Sequence, residues 1–146
     1  MADEKLVKAV GLDLPISPKH AIELCTYIKG KELVKVKAKL NLVIEEKFVM
    51  PLSRFDRKRG HKAGHLGPGF YPKKASKHFL NLIKTLEGNA KNQGLNLENL
   101  YIQNAMANRA PISWHYSRHR GRRMKRTHVT LFAKQRETKK QQGKKK

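Results

Sequence analysis

The feature that most limits how this chain can fold is a strongly basic segment between two strand-like segments. Residues 118–126 contain six Lys and Arg residues around the single Gly121. The flanking residues, 100–106 and 128–133, include the runs Leu-Tyr-Ile and His-Val-Thr-Leu-Phe, whose composition is typical of strands. If the two strands pair, they form a projecting β-hairpin with a basic tip, in which each arm has about 10 residues and reaches roughly 30 Å.

The charge of the whole chain is concentrated in its second part. The 146 residues carry a net charge of +22. Residues 1–50 contain nine Lys and seven acidic residues, whereas residues 51–146 contain 24 Lys and Arg and only four acidic residues. Arginine first occurs at Arg54, and its guanidinium group can bind phosphate through two parallel hydrogen bonds. This distribution predicts a surface in the second part that binds a polyanion, most simply nucleic-acid phosphates.

Two segments carry clear helix signals. Ser17 and Pro18 suit the N-cap and the first position of a helix that stops at Gly30. After Pro72, apolar residues recur at helical spacing as far as Ala90. The second pattern predicts an amphipathic helix that ends near Gly94, with lysines on its solvent side.

Two further segments need a choice between structures. Residues 31–47 fit a helical stripe of apolar residues, but they also fit the alternation of a strand. We favour a helix because the run of about 17 residues exceeds a typical strand, and a strand is the alternative. Residues 51–71 contain four Gly and two Pro, which predicts a long loop. Because this loop also carries five Arg and Lys residues, we expect it to contact RNA.

Several classes of protein are not expected. Cys25 is the single cysteine, so an internal disulfide and a Cys-rich zinc site are excluded. His61 and His65 have a metal-like spacing, but they lie among glycines and no third ligand follows, so no metal site is expected. Paired carboxylates, a nucleophile elbow and a GK[ST] phosphate loop are missing. We therefore expect no enzyme and no cofactor. A ribonuclease is the least favoured of the functions considered.

The candidate RNA-binding residues form three groups, in the loop, at the start of the helix after Pro72, and in the hairpin. They are Arg54, Arg57, Lys58, Arg59 and Lys62; Lys73, Lys74 and Lys77; and Trp114, His115, Tyr116, Arg118, His119, Arg120, Arg122, Arg123, Lys125 and Arg126. Trp114 and Tyr116 lie two residues apart, hence on one face of a strand, where they either stack on bases or form a small apolar cluster. His115 and His119 suit base stacking or phosphate binding better than acid–base catalysis.

Six motifs occur in an order that resembles a known family. They are Leu14-Pro15-Ile16-Ser17-Pro18-Lys19-His20-Ala21, Pro51-Leu52-Ser53-Arg54-Phe55-Asp56-Arg57-Lys58, Gly67-Pro68-Gly69-Phe70-Tyr71-Pro72-Lys73-Lys74-Ala75, Glu87-Gly88-Asn89-Ala90-Lys91-Asn92-Gln93-Gly94-Leu95, Asn108-Arg109-Ala110-Pro111 and Lys125-Arg126-Thr127-His128-Val129. Each motif is weak alone, but the six in this order are specific. The chain is similar to the large-subunit ribosomal protein L-twenty-two family of the archaeal and eukaryotic type.

The resemblance implies a fold and its boundaries. We expect an α+β fold, with a small globular domain of three helices packed on a small antiparallel sheet and a long projecting β-hairpin. The single domain would span residues 1–136, with the body at about 10–100 and the hairpin at about 98–135. Residues 137–146 would be a basic tail.

The resemblance also implies a function. We expect a structural protein that binds large-subunit ribosomal RNA in the cytoplasmic ribosome, with its body near the exit of the peptide tunnel and its hairpin lining the tunnel. The resemblance adds Lys19 and Arg109 to the predicted RNA-binding residues. Its partners would be ribosomal RNA, neighbouring large-subunit proteins around the tunnel and, transiently, the nascent polypeptide. The alternative is a basic nucleic-acid chaperone or an architectural RNA- or DNA-binding protein that uses a basic β-arm.

Overall fold

The computed structural model describes residues 6–55, 58–63 and 67–136. Within these ranges the elements in chain order are β1 (Leu6–Leu14), α1 (Pro18–Ile28), α2 (Leu33–Ile44), β2 (Met50–Pro51), β3 (Gly69–Phe70), α3 (Lys73–Asn92), β4 (Leu100–Arg109), a short 3₁₀ helix (Ser117–His119) and β5 (Thr127–Gln135). The architecture is α+β, with three helices and a small antiparallel sheet, as expected. Arg57, His65 and the predicted tail of residues 137–146 lie outside the described residues.

The main sheet has three antiparallel strands in the order β1-β5-β4. The central strand β5 buries every second residue, including Val129, Leu131 and Ala133. β4 and β5 pair with each other, as the sequence predicts. Strand β1 was not predicted, although its buried Val7 and Ala9 alternate with exposed neighbours in the same way. The missed signal is this short period-two pattern near the start of the chain.

The helices cover one face of this sheet. α3 packs on β1, α1 packs on β4, and α2 packs against α3. The apolar stripe predicted for α3 is buried, and Phe79 in its middle is fully enclosed. A salt bridge joins α2 to α3, because the Nζ of Lys37 donates to both carboxylate oxygens of Glu87 at 2.9 and 3.1 Å. The core therefore lies between the three helices and the inner face of the sheet.

The two remaining predictions about helices are also settled. α1 begins after Ser17 as predicted, but the Ser17 side chain makes no capping hydrogen bond. After α1, Gly30 has a φ of 76°, a left-handed conformation that favours glycine, which confirms the predicted stop. Residues 33–44 form α2, so the strand alternative is wrong. The helix is favoured because it buries the apolar stripe of Leu33, Val36, Leu40 and Val43 on one face. Val34, which the strand pattern would have buried, is exposed.

Residues 52–68, here called the basic loop, connect β2 to β3. The two short strands pair antiparallel and close the base of the loop, a pairing that the sequence did not indicate. A Cβ atom at Gly69 would overlap the Val49 side chain, so the chain needs glycine at this close approach. Among the residues that the structure describes, no group of three His, Cys, Asp or Glu is placed to hold a metal ion. The described helices include none with both the length and the hydropathy of a membrane span.

Residues 110–126, here called the basic arm, connect β4 to β5. Regular pairing ends at Arg109 and Thr127. Three backbone hydrogen bonds then join the two sides of the arm, from Ala110 N–H to Arg126 O at 3.3 Å, from His115 N–H to Arg122 O at 2.9 Å and from Met124 N–H to Ser113 O at 2.8 Å. The structure thus shows the hairpin pairing, but it does not show a regular two-stranded arm beyond it.

The expectation that Trp114 and Tyr116 share one strand face is wrong. Trp114 forms an isolated bridge with Arg123, and Tyr116 immediately precedes the 3₁₀ helix. The reason is local, since Ser117 has a φ of 57° and turns the chain before a ladder can continue. Both aromatic side chains are nevertheless exposed, at 54% for Trp114 and 82% for Tyr116.

Candidate nucleic-acid interface

A groove of about 1040 Å³ lies where four parts of the fold meet. Its walls come from the residues before and at the start of α1, the basic loop, the start of α3 and the base of the basic arm. Eight of the predicted RNA-binding residues line it, namely Arg59, Lys62, Lys73, Lys74, His115, Arg123, Lys125 and Arg126. Residues that are more than 60 positions apart in the sequence are thereby gathered around one concave surface.

Two helices begin at this groove. Ser17 precedes α1 and Pro72 precedes α3, and both residues line the groove. The N-terminal end of a helix presents unpaired backbone N–H groups and a partial positive charge, which favours bound anions. Glu46 is the acidic residue of the lining, and it forms an ion pair with Lys73 at 2.6 Å. The groove as a whole is strongly positive.

Aromatic rings hold several of the cations in place. The guanidinium of Arg59 lies 5.0 Å from the ring centroid of Phe70, and the guanidinium of Arg123 lies 4.6 Å from that of Trp114. At the start of the basic loop, the Phe55 ring has Arg54 at 5.3 Å. Such contacts stabilise by about 0.5–1 kcal/mol at exposed sites and restrict where the cation can point.

Three of the ring partners, Phe55, Phe70 and Tyr71, were not predicted to be functional residues. Phe55, Phe70 and Tyr71 are each approached by a cation, Lys19 and Arg54 for Phe55, Arg59 for Phe70 and Lys62 for Tyr71. A signal was present, because Phe70 and Tyr71 are adjacent aromatic residues at the end of a basic, glycine-rich segment. The rings add no charge to the predicted interface, but they contact the cations that supply it.

A buried carboxylate fixes the start of the basic loop. Glu23 on α1 is only 4% exposed. Its Oε2 accepts hydrogen bonds from the Ser53 hydroxyl at 2.7 Å and the Ser53 N–H at 3.2 Å. Its Oε1 accepts from the N–H groups of Arg54 and Phe55, both at 2.8 Å. Burial acts to raise the pKa of Glu23, but these hydrogen bonds outweigh it and hold the pKa below its ordinary value.

The base of the basic arm is tied to the segment between β1 and α1. Thr127 is buried, and its hydroxyl donates to the Ile16 carbonyl at 3.0 Å. The Arg126 guanidinium donates to the Asp13 carbonyl at 3.0 Å, and the Asp13 N–H donates to Nδ1 of His128 at 3.1 Å. These bonds place the last residues of the arm on the wall of the groove.

The other predicted RNA-binding residues lie outside the groove. In the basic arm, Arg118, His119, Arg120 and Arg122 are exposed, and none takes part in the ion pairs of the described residues. Lys19, Arg54 and Lys58 are exposed near the basic loop, Lys77 is exposed on α3, and Arg109 is exposed at the end of β4. The predicted set therefore separates into residues that converge on the groove and residues on the surface around it.

Comparison with known proteins identifies the family. A family model described as "Ribosomal protein L22p/L17e" matches residues 9–132. The large ribosomal subunit protein uL22 of Methanosphaera stadtmanae is 42% identical over 113 residues, which are 76% of this chain and 73% of that protein. Its counterpart in Ignicoccus hospitalis is 41% identical over 136 residues, which are 90% of this chain and 79% of that protein.

These matches confirm the resemblance that the six motifs indicated. The uL22 of Archaeoglobus fulgidus is a further relative, 38% identical over 116 residues that cover 78% of this chain and 75% of that protein. The matched family consists of structural ribosomal proteins, which confirms the expectation that the chain is not an enzyme. The chain belongs to the ribosomal protein L22p/L17e family.

Proposed function

We propose that this protein is a structural component of the large subunit of the cytoplasmic ribosome, and that it binds large-subunit ribosomal RNA through the groove. The observation that carries the proposal is the convergence of eight predicted cationic or histidine side chains and two helix N-termini on one concave surface. Phosphate groups are the ligands that such a surface favours, because guanidinium, ammonium and backbone N–H groups all donate to them. Neighbouring large-subunit proteins are the proposed protein partners.

The basic arm supports the same proposal from a different direction. All residues from 111 to 123 are exposed, and the arm carries Lys and Arg but no acidic residue. A two-stranded ribbon without a packed face is marginal in water, and repulsion between like charges weakens it further. RNA phosphates would remove that repulsion and supply the missing contacts. Binding would follow the shape and backbone of the RNA, with exposed Trp114 and Tyr116 available to stack on unpaired bases.

The family resemblance extends the proposal to a position in the subunit. The body would lie near the exit of the peptide tunnel, and the basic arm would line the tunnel wall and meet the nascent polypeptide transiently. Arms of this kind suit narrow spaces within folded RNA, because a pair of strands is much thinner than a globular domain. The groove would then anchor the protein, and the arm would occupy its final place once the surrounding RNA has folded.

Salt dependence tests the RNA-binding proposal. If about 6–10 phosphates are neutralised, affinity for large-subunit RNA should fall by about 10³–10⁵ between 50 and 200 mM salt. The triple change Arg59→Gln, Lys62→Gln, Lys74→Gln should lower the slope of this dependence by about 2–3. The matched control is Lys29→Gln, Lys84→Gln, Lys91→Gln, which removes the same charge from exposed positions outside the groove. A flat salt response, or equal effects of the two variants, would contradict the proposal.

Assembly tests the proposed position. Deletion of residues 116–123, with the arm closed by Asn-Gly, should leave primary RNA binding mostly intact and disturb late assembly or the passage of nascent chains. The groove triple variant should instead reduce incorporation into large subunits, as measured by quantitative mass spectrometry of purified subunits. The wild-type protein should sediment with large subunits at stoichiometric level. A nucleic-acid chaperone would not sediment with large subunits at that level. Failure of the wild-type protein to do so would therefore favour the alternative function.

A further inference from the structure

We propose that Glu23 is a positioning residue that pre-forms the basic loop for RNA, although its own carboxylate contacts no RNA. The inference rests on the proposed function, because it assigns to Glu23 a share of the RNA affinity of the basic loop, whose Arg59 and Lys62 line the groove. The chain carries a net charge of +22, and yet a carboxylate is buried directly beneath one of its clusters of cations.

The geometry is that of an internal anion site. Three consecutive backbone N–H groups, of Ser53, Arg54 and Phe55, point at the two oxygens of Glu23, and the Ser53 hydroxyl adds a fourth hydrogen bond. Concave sets of successive N–H groups commonly bind phosphate or other anions in proteins. In this fold the anion is a side chain from α1, about 30 positions earlier in the sequence. The site is filled from within, so RNA meets the outer side of the loop.

The contacts of Glu23 fix the part of the loop that carries cations. Arg54 is held through its own N–H group, and the Phe55 ring is held where both Arg54 and Lys19 lie against it. The rest of the described loop is tied at its other end, where His61 pairs with Pro68. Glu23 thus attaches residues 53–55, at the start of the loop, to α1.

This attachment matters for affinity because an unattached loop would have to be ordered when RNA binds. Ordering flexible backbone costs conformational entropy, and that cost is subtracted from the binding free energy. A glutamine at position 23 cannot replace the carboxylate, because only one of its two terminal atoms accepts hydrogen bonds. Whichever position the amide NH₂ takes, it faces at least one backbone N–H of residues 53–55, and only the Ser53 hydroxyl could turn and accept from it.

The test compares Glu23→Gln with Glu87→Gln. Both changes remove one negative charge, but Glu87 is paired with Lys37 between α2 and α3, whereas Glu23 holds the start of the basic loop. On charge alone, either variant should bind RNA slightly more tightly than the wild type. We expect Glu87→Gln to follow that rule and Glu23→Gln to lose about 10- to 100-fold in affinity for large-subunit RNA. The slope of log affinity against log salt concentration should also fall, for Glu23→Gln alone, by the equivalent of about one to two phosphate contacts.

Two further measurements separate positioning from general loss of stability. Hydrogen exchange on the free protein should show faster exchange at the amides of residues 53–55 in Glu23→Gln, with α3 unchanged. If Glu23→Gln does not fold, Ser53→Ala keeps the carboxylate and removes one of the four hydrogen bonds, and it should show the same changes to a smaller degree. Exchange at 53–55 and a salt slope both equal to those of Glu87→Gln would overturn the inference. A flat salt response of the wild type would overturn the proposed function instead, while hydrogen exchange would still test the attachment.

Discussion

The two ends of the same hairpin differ in almost every respect. Between Leu100 and Ile102 on β4, and from Val129 to Ala133 on β5, the strands bury alternate side chains against α1 and the rest of the core. Beyond Arg109 and Thr127, the connecting residues of the basic arm bury only Ala110. The backbone is continuous, but one end of the hairpin packs on helices, whereas residues 111–123 at the other end are exposed.

The difference shows that strand pairing alone does not order a ribbon. Hydrogen bonds between two strands contribute little net free energy in water, whereas burial of one face contributes about 25 cal/mol per Å² of apolar area. The body gains this from its own helices. The basic arm keeps most of its apolar side chains exposed and contains no acidic residue, so it gains little free energy of this kind from its own chain.

Hydrogen exchange in the free protein should show the largest contrast. Amides of residues 112–125 should exchange with an opening free energy near zero, because few of them donate to other backbone groups. Amides in the middle of α3 should be protected up to the global free energy of unfolding, about 5–15 kcal/mol. The measurement is native-state exchange followed by mass spectrometry. Equal protection in the two regions without RNA would remove the basis of the comparison.

A pair of aromatic truncations gives the next largest effect. Phe79→Ala removes a ring with no exposed surface from α3 and should lower the free energy of unfolding by about 3–5 kcal/mol. Trp114→Ala removes a ring that is 54% exposed, and it should change stability by less than about 1 kcal/mol. Urea denaturation of both variants measures the difference. RNA affinity should respond in the opposite order once both proteins are folded.

Two glycine variants test the boundary between packed and open regions. Gly69→Ala places a methyl group against the Val49 side chain at the base of the basic loop and should cost about 1–3 kcal/mol. Gly121→Ala is its control in the basic arm, where no heavy atom lies within 4 Å of the new carbon. That change should stay within about 0.5 kcal/mol. Thermal unfolding of the two variants would contradict this picture if their midpoints moved equally.

Acid should loosen the basic loop before the core. The pKa of Glu23 in the folded chain lies below its ordinary value of 4.5. Its contribution to stability is therefore fully present above pH 4.5 and is lost as the pH falls through the lowered folded pKa. Stability measured from pH 7 downwards should show this loss in the wild type, and the loss should be smaller in Glu23→Gln. Identical pH profiles would show that the carboxylate makes no such contribution.

The smallest predicted effect is a gain. The hydroxyl of Ser76 is fully buried on α3, and no described residue forms a hydrogen bond with it. Ser76→Ala removes this unpaired group and improves helix propensity, so it should raise the free energy of unfolding by up to about 1 kcal/mol. Chemical denaturation measures the gain, and exchange in the basic arm should not change. A loss of stability would mean that the hydroxyl has a partner in solution.

The helices could be predicted because their signals are local. Pro18, Gly30 and the apolar spacing along α3 are all read within one segment of chain. Strand β1 could not be separated from an irregular start, since its partners are residues of β5 at the far end of the sequence. Pairing over that distance leaves no local mark beyond a short alternation.

The same distinction applies to the candidate interface. Individual cations such as Arg59, Lys74 and Arg123 were predicted, because clustering of like charge is visible in the sequence. Their convergence on one groove was not, because it depends on how four distant segments pack. Glu23 was missed for the same reason, since nothing near it in the sequence indicates three donors in another segment.

The position of β5 has a consequence for how the protein is made. β5 is the last described strand to be synthesised, but it lies between β1 and β4 in the sheet. Leu6 therefore has no strand partner until Lys134 has been synthesised. The three-stranded sheet cannot form before β5 is complete, because β5 lies between β1 and β4. Residues 123–126, which complete the groove, follow all the other groove-lining residues in the sequence. A growing chain therefore has no finished groove until residues 123–126 have been synthesised.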